Sequence, residues 1–501
     1  MLHTKIYMIV AALALACVPA ARGVDVALAA PGTLAAAVTS PDTESELRVS
    51  GPVDASDLFF IARNMPALTV LDLAGVDIVA YRGTPIAGRT GYAAGLIPQN
   101  LMPGHGLTSL TLPQAQGVII GAGAFARNPL TAITIGSNIS AVGDGAFLGC
   151  DKLRTASIGT TSVGAGAFAA CTALEEVTFA TSGTALDASA FADDSALGKV
   201  SGSANITTIG ESAFRRCSAL KTFGFGQGLT AVGAGAFLRS GLERADLSTC
   251  SALDSIGAWA FAEMPALTEV NLGHAGTVGD GVVFMSPALE RFVASDATDR
   301  VAAYAYAHDR NLLAEGLLPS GTRIVGAHAL HGLSQLTAIT VPASVSHIGD
   351  GAMASMTGLT DITTEASDVP TLGSEVWRGV DQPAVVLHVP EGTATDYAAA
   401  DQWCLFDITE QSAPSGITET HTPAAGAIVR GRFDGSVLKV EAVGTEIARL
   451  TLHDEAGIML CALEPYENLV SADTGSLVTR IYIVSAVLSD GRTATLKLAR
   501  P

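Results

Sequence analysis

A chain of 501 residues that is 49% hydrophobic but only 5% aromatic, with 53 glycines, has room for more than one domain and a substantial core. Its 48 acidic against 28 basic residues give a formal charge of -20, which repels phosphate backbones and anionic lipid and so argues against nucleic-acid and peripheral-membrane partners. A compact enzyme of this size would carry more aromatic and charged residues, whereas an Ala/Gly-rich, aromatic-poor chain suits thin stacked layers.

The first element in chain order is a short apolar run. Lys5 precedes Ile6 to Cys17, and small residues follow at Ala20, Ala21 and Gly23. This is the pattern of a Sec signal peptide over residues 1–23, too short to span a membrane, and no later segment supplies eighteen uninterrupted apolar residues. Ala14-Leu15-Ala16-Cys17 also resembles a lipobox, which keeps lipoprotein anchoring at Cys17 open. Leu47 to Gly51, a helical stretch from Asp54 to Met65 and Leu68 to Leu73 come next.

A repeat then takes over. Gly145-Ala146-Phe147-Leu148-Gly149-Cys150, Gly166-Ala167-Phe168-Ala169-Ala170-Cys171 and Ser212-Ala213-Phe214-Arg215-Arg216-Cys217 are three copies of one phrase. With the aromatic as anchor, the series runs Phe125, Phe147, Phe168, Phe191, Phe214, Phe237, Phe261, Phe284, Tyr306, Leu330, Met353 and Trp377, at intervals of 21 to 24 residues. A Leu stands five or six residues after each of the first eleven, opening a Leu-x-x-Val-x-Ile strand pattern with period two. One such unit cannot bury its apolar residues alone, so stacking is expected to make apolar columns and one long parallel sheet. The Ala-Phe-x-x-Cys segment is read as a helical turn, which favours this arrangement over a parallel β-helix.

The Ile/Val-Gly-x-x-Ala-Phe-x-x-Cys-x-x-Leu phrase, over about residues 117–390, resembles the BspA-type leucine-rich repeats of surface proteins from anaerobic bacteria. The segments between Leu47 and Leu73 look like that family's N-terminal cap. The resemblance implies an α/β repeat, a leucine-rich-repeat solenoid with a parallel β-sheet, and a role in adhesion or binding of host matrix proteins.

Beyond the last repeat, Tyr397, Trp403 and Phe406 are expected to shield the end of the core, and the polar 410–426 stretch reads as a linker. Strand patterns at Val437 to Val443, Ile447 to Leu452, Arg480 to Val484 and Thr493 to Leu498, with turns at 454–457 and 490–491, point to a small all-β sandwich over 427–501. It is similar to the C-terminal sorting domain of type IX secretion substrates, although Arg480-Ile481 stands where that family carries Gly before the Tyr; a retained immunoglobulin-like module is the alternative. The expected organisation is therefore a signal peptide (1–23), a cap with a first leucine-rich unit (24–116), a solenoid of about twelve rungs with its end cap (117–409), a linker and the sandwich.

The search for chemistry returns little. Cys150, Cys171 and Cys217 fall in one column and read as buried free thiols. His328, His331 and His347 lack a completing Cys or Glu, and catalytic and nucleotide-binding motifs are missing, so neither a metal, a cofactor nor an enzymatic activity is expected. Strand alternation instead points outward Thr155, Ser157, Glu176, Thr178, Arg244, Asp246, Glu269, Asn271, Asp361 and Thr363, the candidate partner-binding set. The reading is a secreted or cell-surface bacterial scaffold, adhesin-like, for a protein or glycoprotein ligand; a surface carbohydrate-binding or carbohydrate-processing accessory protein is the alternative.

Overall fold

The computed structural model describes residues 23–411 except 182 and 314–316, and, within 428–499, all but 435–436, 444–445, 454–458, 464–468, 474–480 and 490–492. The signal peptide with Cys17, most of the linker and the turns at 454–457 and 490–491 lie outside the described residues. The chain divides into two units, Met1–Val385 and Val386–Pro501.

The first unit opens with parallel strands Gly23–Ala27, Glu46–Val53, Val70–Ile78 and Ser109–Thr111, in that order across one sheet. The helix Ala55–Asn64 packs beside them. Asp54 caps it by accepting from the Ser56 N–H at 2.8 Å, and Asp57 forms the other half of the capping box. Buried Asp57 also accepts the N–H groups of Gly32 and Leu34, tying the short Leu34–Ala37 helix to the same point.

From Leu96 the chain runs in stacked coils, most of them built on two parallel strands where one was expected. The Leu-x-x-Val-x-Ile strands form one series: Ala132–Ile135, Thr155–Ile158, Glu176–Phe179 and Lys199–Ser201, then Arg244–Asp246, Glu269–Asn271 and Arg291–Val293, then Ala338–Val341 and Asp361–Thr364. The apolar pair just before the repeat glycine supplies a second sheet of nine strands, from Leu96–Ile97 to Thr277–Val278, continued by Arg300–Val301, Ile324–Val325, His347–Ile348 and Thr371–Leu372. The glycine that ends this strand leaves the coils close together: a Cβ at Gly233 would stand 2.4 Å from the Glu211 nitrogen.

The segment expected to be helical is a different kind of turn. In the Phe125 coil, the N–H groups of Gly123, Phe125 and Arg127 donate to Asp144, Ala146 and Leu148 of the next coil at 2.7–2.9 Å. Those of Ala124 and Ala126 donate back three residues within their own coil. Because alternate amides leave for the neighbour, no i→i−4 series can form, and the turn replaces the helix. The geometry requires left-handed backbone two residues before and two after each anchor, as at Gly123 and Arg127, Gly166 and Ala170, Ser212 and Arg216. Asn100 and Gly104 bracket Met102 in the same way, so the coils extend one repeat upstream of Phe125.

The same signature corrects one anchor. Gly281 and Met285 bracket Val283, which is buried; Phe284 lies one residue outside the column and is half-exposed. With Val283 as anchor the following leucine, Leu289, stands six residues on, as in most coils. The true anchors are buried, and Phe147, Phe168, Phe191, Phe214 and Phe237 stack with ring centroids 5.2–5.5 Å apart.

In the second unit, Val386–Pro390 pairs in parallel with Asp407–Gln411, and buried Tyr397 and Trp403 meet edge to face at 5.4 Å. Two antiparallel sheets follow, one of Ile428–Asp434, Val437–Val443 and Leu469–Asp473, the other of Met459–Leu463, Ile447–His453, Ile481–Leu488 and Thr493–Ala499. Leu438, Val440, Leu450, Leu452, Val470 and Val484 from both sheets share one core. Three of these strands, starting at Ile428, Met459 and Leu469, are additional to the four that the sequence pattern predicts.

Candidate ligand-binding surface

The residues at the Val position of the Leu-x-x-Val-x-Ile strands are buried at Ala156, Val177, Ala245, Val270 and Ile362, and half-buried at Val200. The pleat therefore turns the residues on either side outward. Thr155, Arg244 and Asp246 are exposed, while Ser157, Glu176, Thr178, Glu269, Asn271, Asp361 and Thr363 are half-exposed. Parallel pairing places Thr155 beside Glu176 and Ser157 beside Thr178, with Lys199 and Ser201 next in line. Arg244 stands beside Glu269 and Asp246 beside Asn271, followed by Arg291. Asp361 and Thr363 stand beside Ala338 and Thr340.

The ten residues thus fall into three groups rather than one unbroken row. Between Lys199–Ser201 and Arg244–Asp246, the coil Lys221-Thr-Phe223-Gly-Phe225-Gly226 forms no strand. The preceding coil ends in a 3-10 turn, Ser203–Asn205, and its Ser203 hydroxyl accepts the Gly224 N–H at 3.1 Å, taking that donor out of the sheet. Gly226 approaches the Ala204 carbonyl so closely that a Cβ would lie 2.1 Å from the oxygen. The outcome is a notch of about 360 Å3 lined by Phe223, Phe225, Lys221, Glu243, Arg244 and Asp246. A glycine in the strand pattern at Gly224 was the sequence signal for this break.

Charges on the strand face are matched from coil to coil. Glu176 meets Lys199 at 2.7 Å, which holds its carboxyl below the usual range. Glu269 meets both Arg244 at 2.7 Å and Arg291 at 3.7 Å. Arg154 and Glu175 pair alongside. Ser248 donates to Asp246 and lowers its pKa. Such exposed pairs are worth about 0–1 kcal/mol each, so they order side chains more than they stabilise the fold.

Another column lies three residues after the anchors and is buried throughout: Asn128, Cys150, Cys171, Asp194, Cys217, Ser240, Met264, Ser286 and Asp309. Its donors reach back to the anchor carbonyl of the preceding coil. Cys150 donates to Phe125 at 3.4 Å, Cys171 to Phe147 at 3.3 Å, Cys217 to Phe191 at 3.2 Å, Ser286 to Phe261 at 3.3 Å and the Asn128 amide to Met102 at 2.8 Å. Burial pushes the Cys217 thiol well up and that of Cys250 to about 11, so these sulfurs hold their protons. Cys150, Cys171, Cys217 and Cys250 are free and buried, and Cys404 is free and exposed. At Asp194 and Asp309 one carboxyl oxygen accepts an N–H of the preceding coil, from Cys171 at 2.7 Å and Ser286 at 2.6 Å, and the other is buried without a partner. Burial holds both carboxyls far above their ordinary range.

His328 and His331 stand at the outer turn and their rings lie 5.6 Å apart, but His347 is on the second sheet, bonded to Thr371. The third ring near them is His308, 5.0 Å from His331. No group of three or more His, Cys, Asp or Glu among the described residues has the geometry to hold a metal ion. No helix among them is long and apolar enough to cross a membrane.

The outer turn also carries aromatic residues outside the sequence-predicted set. Trp259, Tyr304 and His328 stand two residues before their anchors, and Phe284, Met285, His308 and His331 lie beside them. The available signal was a large ring at a position where most other coils have Gly or Ser.

Three comparisons place this architecture among known proteins. The model of the "BspA type Leucine rich repeat region (6 copies)" matches residues 97–200, 184–313 and 301–382, together more than half of the chain. Similar solved structures include a leucine-rich repeat protein from Bacteroides ovatus, at 16% identity over 75% of this chain and 86% of that one, with a TM-score of 0.45. A leucine rich cell surface protein from Faecalibacterium prausnitzii is 20% identical over 50% of this chain and 83% of its own, with a TM-score of 0.29. The pneumococcal vaccine antigen PcpA is 12% identical over 74% and 80%, with a TM-score of 0.33. No curated protein matches the chain.

Proposed function

The chain belongs to the BspA-type leucine-rich-repeat family, and from that premise we propose that it is a secreted or cell-surface scaffold, adhesin-like and without enzymatic activity, that binds a protein or glycoprotein on its strand face. The observation that carries this reading is the row of polar side chains held in register on paired parallel strands, Thr155 beside Glu176 beside Lys199 and Arg244 beside Glu269 beside Arg291. Strands locked on both sides lose little entropy on binding, and the coil spacing of about 4.8 Å sets side chains at intervals suited to an extended protein face. The notch beside Arg244 adds an apolar recess of the kind that seats an anchoring side chain.

The test is a binding screen of full-length protein against host matrix proteins and bacterial surface glycoproteins, repeated with Glu176→Lys, Asp246→Lys and Glu269→Lys combined. Loss of binding, or a changed salt dependence, supports the strand face; unchanged affinity and salt dependence moves the site elsewhere. The apolar run before Gly23 supports export by the Sec route, and the C-terminal strands support a sorting or binding tail. Deleting residues 427–501 distinguishes these last two: a sorting signal predicts retention in the periplasm, a binding module predicts normal delivery.

A further inference from the structure

The second sheet is interrupted once along the stack. Its nine-strand part ends at Thr277–Val278, and a separate part starts at Arg300–Val301 of the following coil. The hydrogen bonds show the same gap. After each strand the next residue donates its N–H to the coil before: Gly210 to Leu186, Gly233 to Ile209, Gly257 to Val232 and Gly279 to Ile256, at 2.7–2.9 Å. Beyond the gap the row resumes with Gly326 to Val301, Gly349 to Val325 and Gly373 to Ile348, each at 2.8 Å. Ala302 is the member of this row, among the described residues, whose N–H does not reach the coil before it. On the strand face, Arg291–Val293 ends its group, and the series resumes at Ala338–Val341.

Local features account for the gap. A Cβ at Gly279 or Gly326 would lie 2.3 or 2.5 Å from a nitrogen of the preceding coil, and Ala302 carries a Cβ at the equivalent place. Asp187 also carries one and keeps its bond to Val163 at 2.9 Å, so a Cβ alone does not open a step. At the Ala302 step the ring column fails as well: phenyl stacking runs as far as Phe261, and the next anchor is the smaller Val283. A cavity of about 20 Å3, room for about one water, lies where the strands part, lined by Val278, Phe292, Arg300, Val301, Ala302 and Tyr306.

The outer turn stays bonded across the same step. The N–H groups of Gly281, Val283 and Met285 donate to Ala303, Ala305 and Ala307 at 2.7, 3.3 and 3.1 Å, and that of Ser286 donates to Asp309 at 2.6 Å. Rings pack over these bonds from outside. Trp259, Phe284 and Tyr304 form a triangle with centroids 5.1, 6.3 and 6.4 Å apart, and His308 meets Phe284 at 5.9 Å. Trp259 belongs to the Phe261 coil and Tyr304 to the Tyr306 coil, so their contact passes over the coil between them. Gly281 gives it room, since a Cβ there would lie 2.5 Å from the Trp259 ring.

We propose that this step is a hinge: the coils up to Val293 and those beginning at Arg300 pivot on the outer turn as two stiff segments, and the ring triangle is the clasp that holds them closed. Stacked repeats touch only their neighbours, so a step with one sheet unpaired and a void between its strands is where the stack gives first. Ring contacts outside offset the anchor stacking lost inside. Pivoting turns the strand-face group of Arg244, Glu269 and Arg291 relative to that of Asp361 and Thr363, whichever ligand the face takes.

Residue-resolved hydrogen exchange on the full-length protein tests this, because opening the step frees the amides that cross it. Gly166, Phe168, Ala170 and Cys171 are the matched control, with the same four bonds to Ala188, Ala190, Ala192 and Asp194. The amides of Gly281, Val283, Met285 and Ser286 are expected to exchange at least tenfold faster than this control. Those of Leu330 and Gly332, which donate to Ala352 and Ala354 beyond the hinge, are expected to stay as slow as the control. Ala302→Gly lets the two coils approach and should slow the hinge amides at least threefold. Tyr304→Gly removes a clasp ring at φ +57°, where glycine is at ease, and should speed them at least threefold; neither substitution should move the control. Equal rates for hinge and control amides in the parent overturn the proposal. Leu330 and Gly332 exchanging together with the hinge amides overturn it too, since the far coils then unfold rather than pivot. A hinge rate unmoved by Tyr304→Gly, or by Ala302→Gly, overturns it as well.

Discussion

The coils around Phe147 to Phe237 and those from Val283 to Trp377 share a backbone but reverse the use of their rings. In the first set the phenyl rings are buried and stacked, and the outer turn carries Gly, Ala, Ser and Arg. In the second the column holds Val283, Tyr306, Leu330, Met353 and Trp377, while Tyr304 and three histidines come to the outer turn, next to Trp259 of the Phe261 coil. The turn itself is constant, with two left-handed residues per coil and three amides donated to the next. The difference teaches that the backbone exchange between coils defines the repeat, and that the anchor need only be apolar and fill the slot.

The largest test of this contrast is truncation. Phe214→Ala, which empties a fully buried place between two stacked rings, should lower unfolding free energy by about 3–5 kcal/mol. Phe284→Ala, one residue off its column and half-exposed, should cost less than about 1.5 kcal/mol. Equal losses in denaturant melts would restore Phe284 as an anchor and undo the register drawn from Gly281 and Met285.

A second test uses pH. The folded-state pKa values of Asp194 and Asp309 are raised above the unfolded value of about 3.9, so their contribution is fully present below that pH and is lost as pH rises through the folded pKa. Within that window each carboxyl should remove about 1.4 kcal/mol of stability per pH unit. Asn128 already serves in this column, so Asp194→Asn and Asp309→Asn should stabilise the protein at neutral pH and flatten its profile. Identical pH profiles for parent and variants would contradict the assignment.

The smallest effect concerns the turn. Ala170 sits at φ +58°, where an alanine costs about 1–2 kcal/mol and a glycine costs nothing beyond about 0.4–1 kcal/mol of unfolded-chain entropy. Ala170→Gly should therefore raise stability by up to about 1 kcal/mol. A decrease in melting temperature would show that the left-handed turn is not strained.

These particulars also show what was legible beforehand. The anchor spacing and the strand alternation disclosed the solenoid and the outward set, because both depend on local periodicity. Two strands per coil were hidden, since a pair such as Ser162–Val163 is too short to show a period. The slip to Val283 was hidden because Phe284 is the larger residue beside it, and spacing alone tolerates one residue. The break at Gly224 depends on Ser203 of the coil before, and the ring strip on side chains from several coils, which no single repeat displays.

Carboxyl footprinting by mass spectrometry, with and without a protein ligand found in the screen, tests most directly whether the strand face is the adhesive surface. Protection is expected at Glu176, Asp246, Glu269 and Asp361, with Glu263 and Asp280 on the outer turn modified as before. Protection of the outer-turn carboxylates with the strand face still reactive would contradict it.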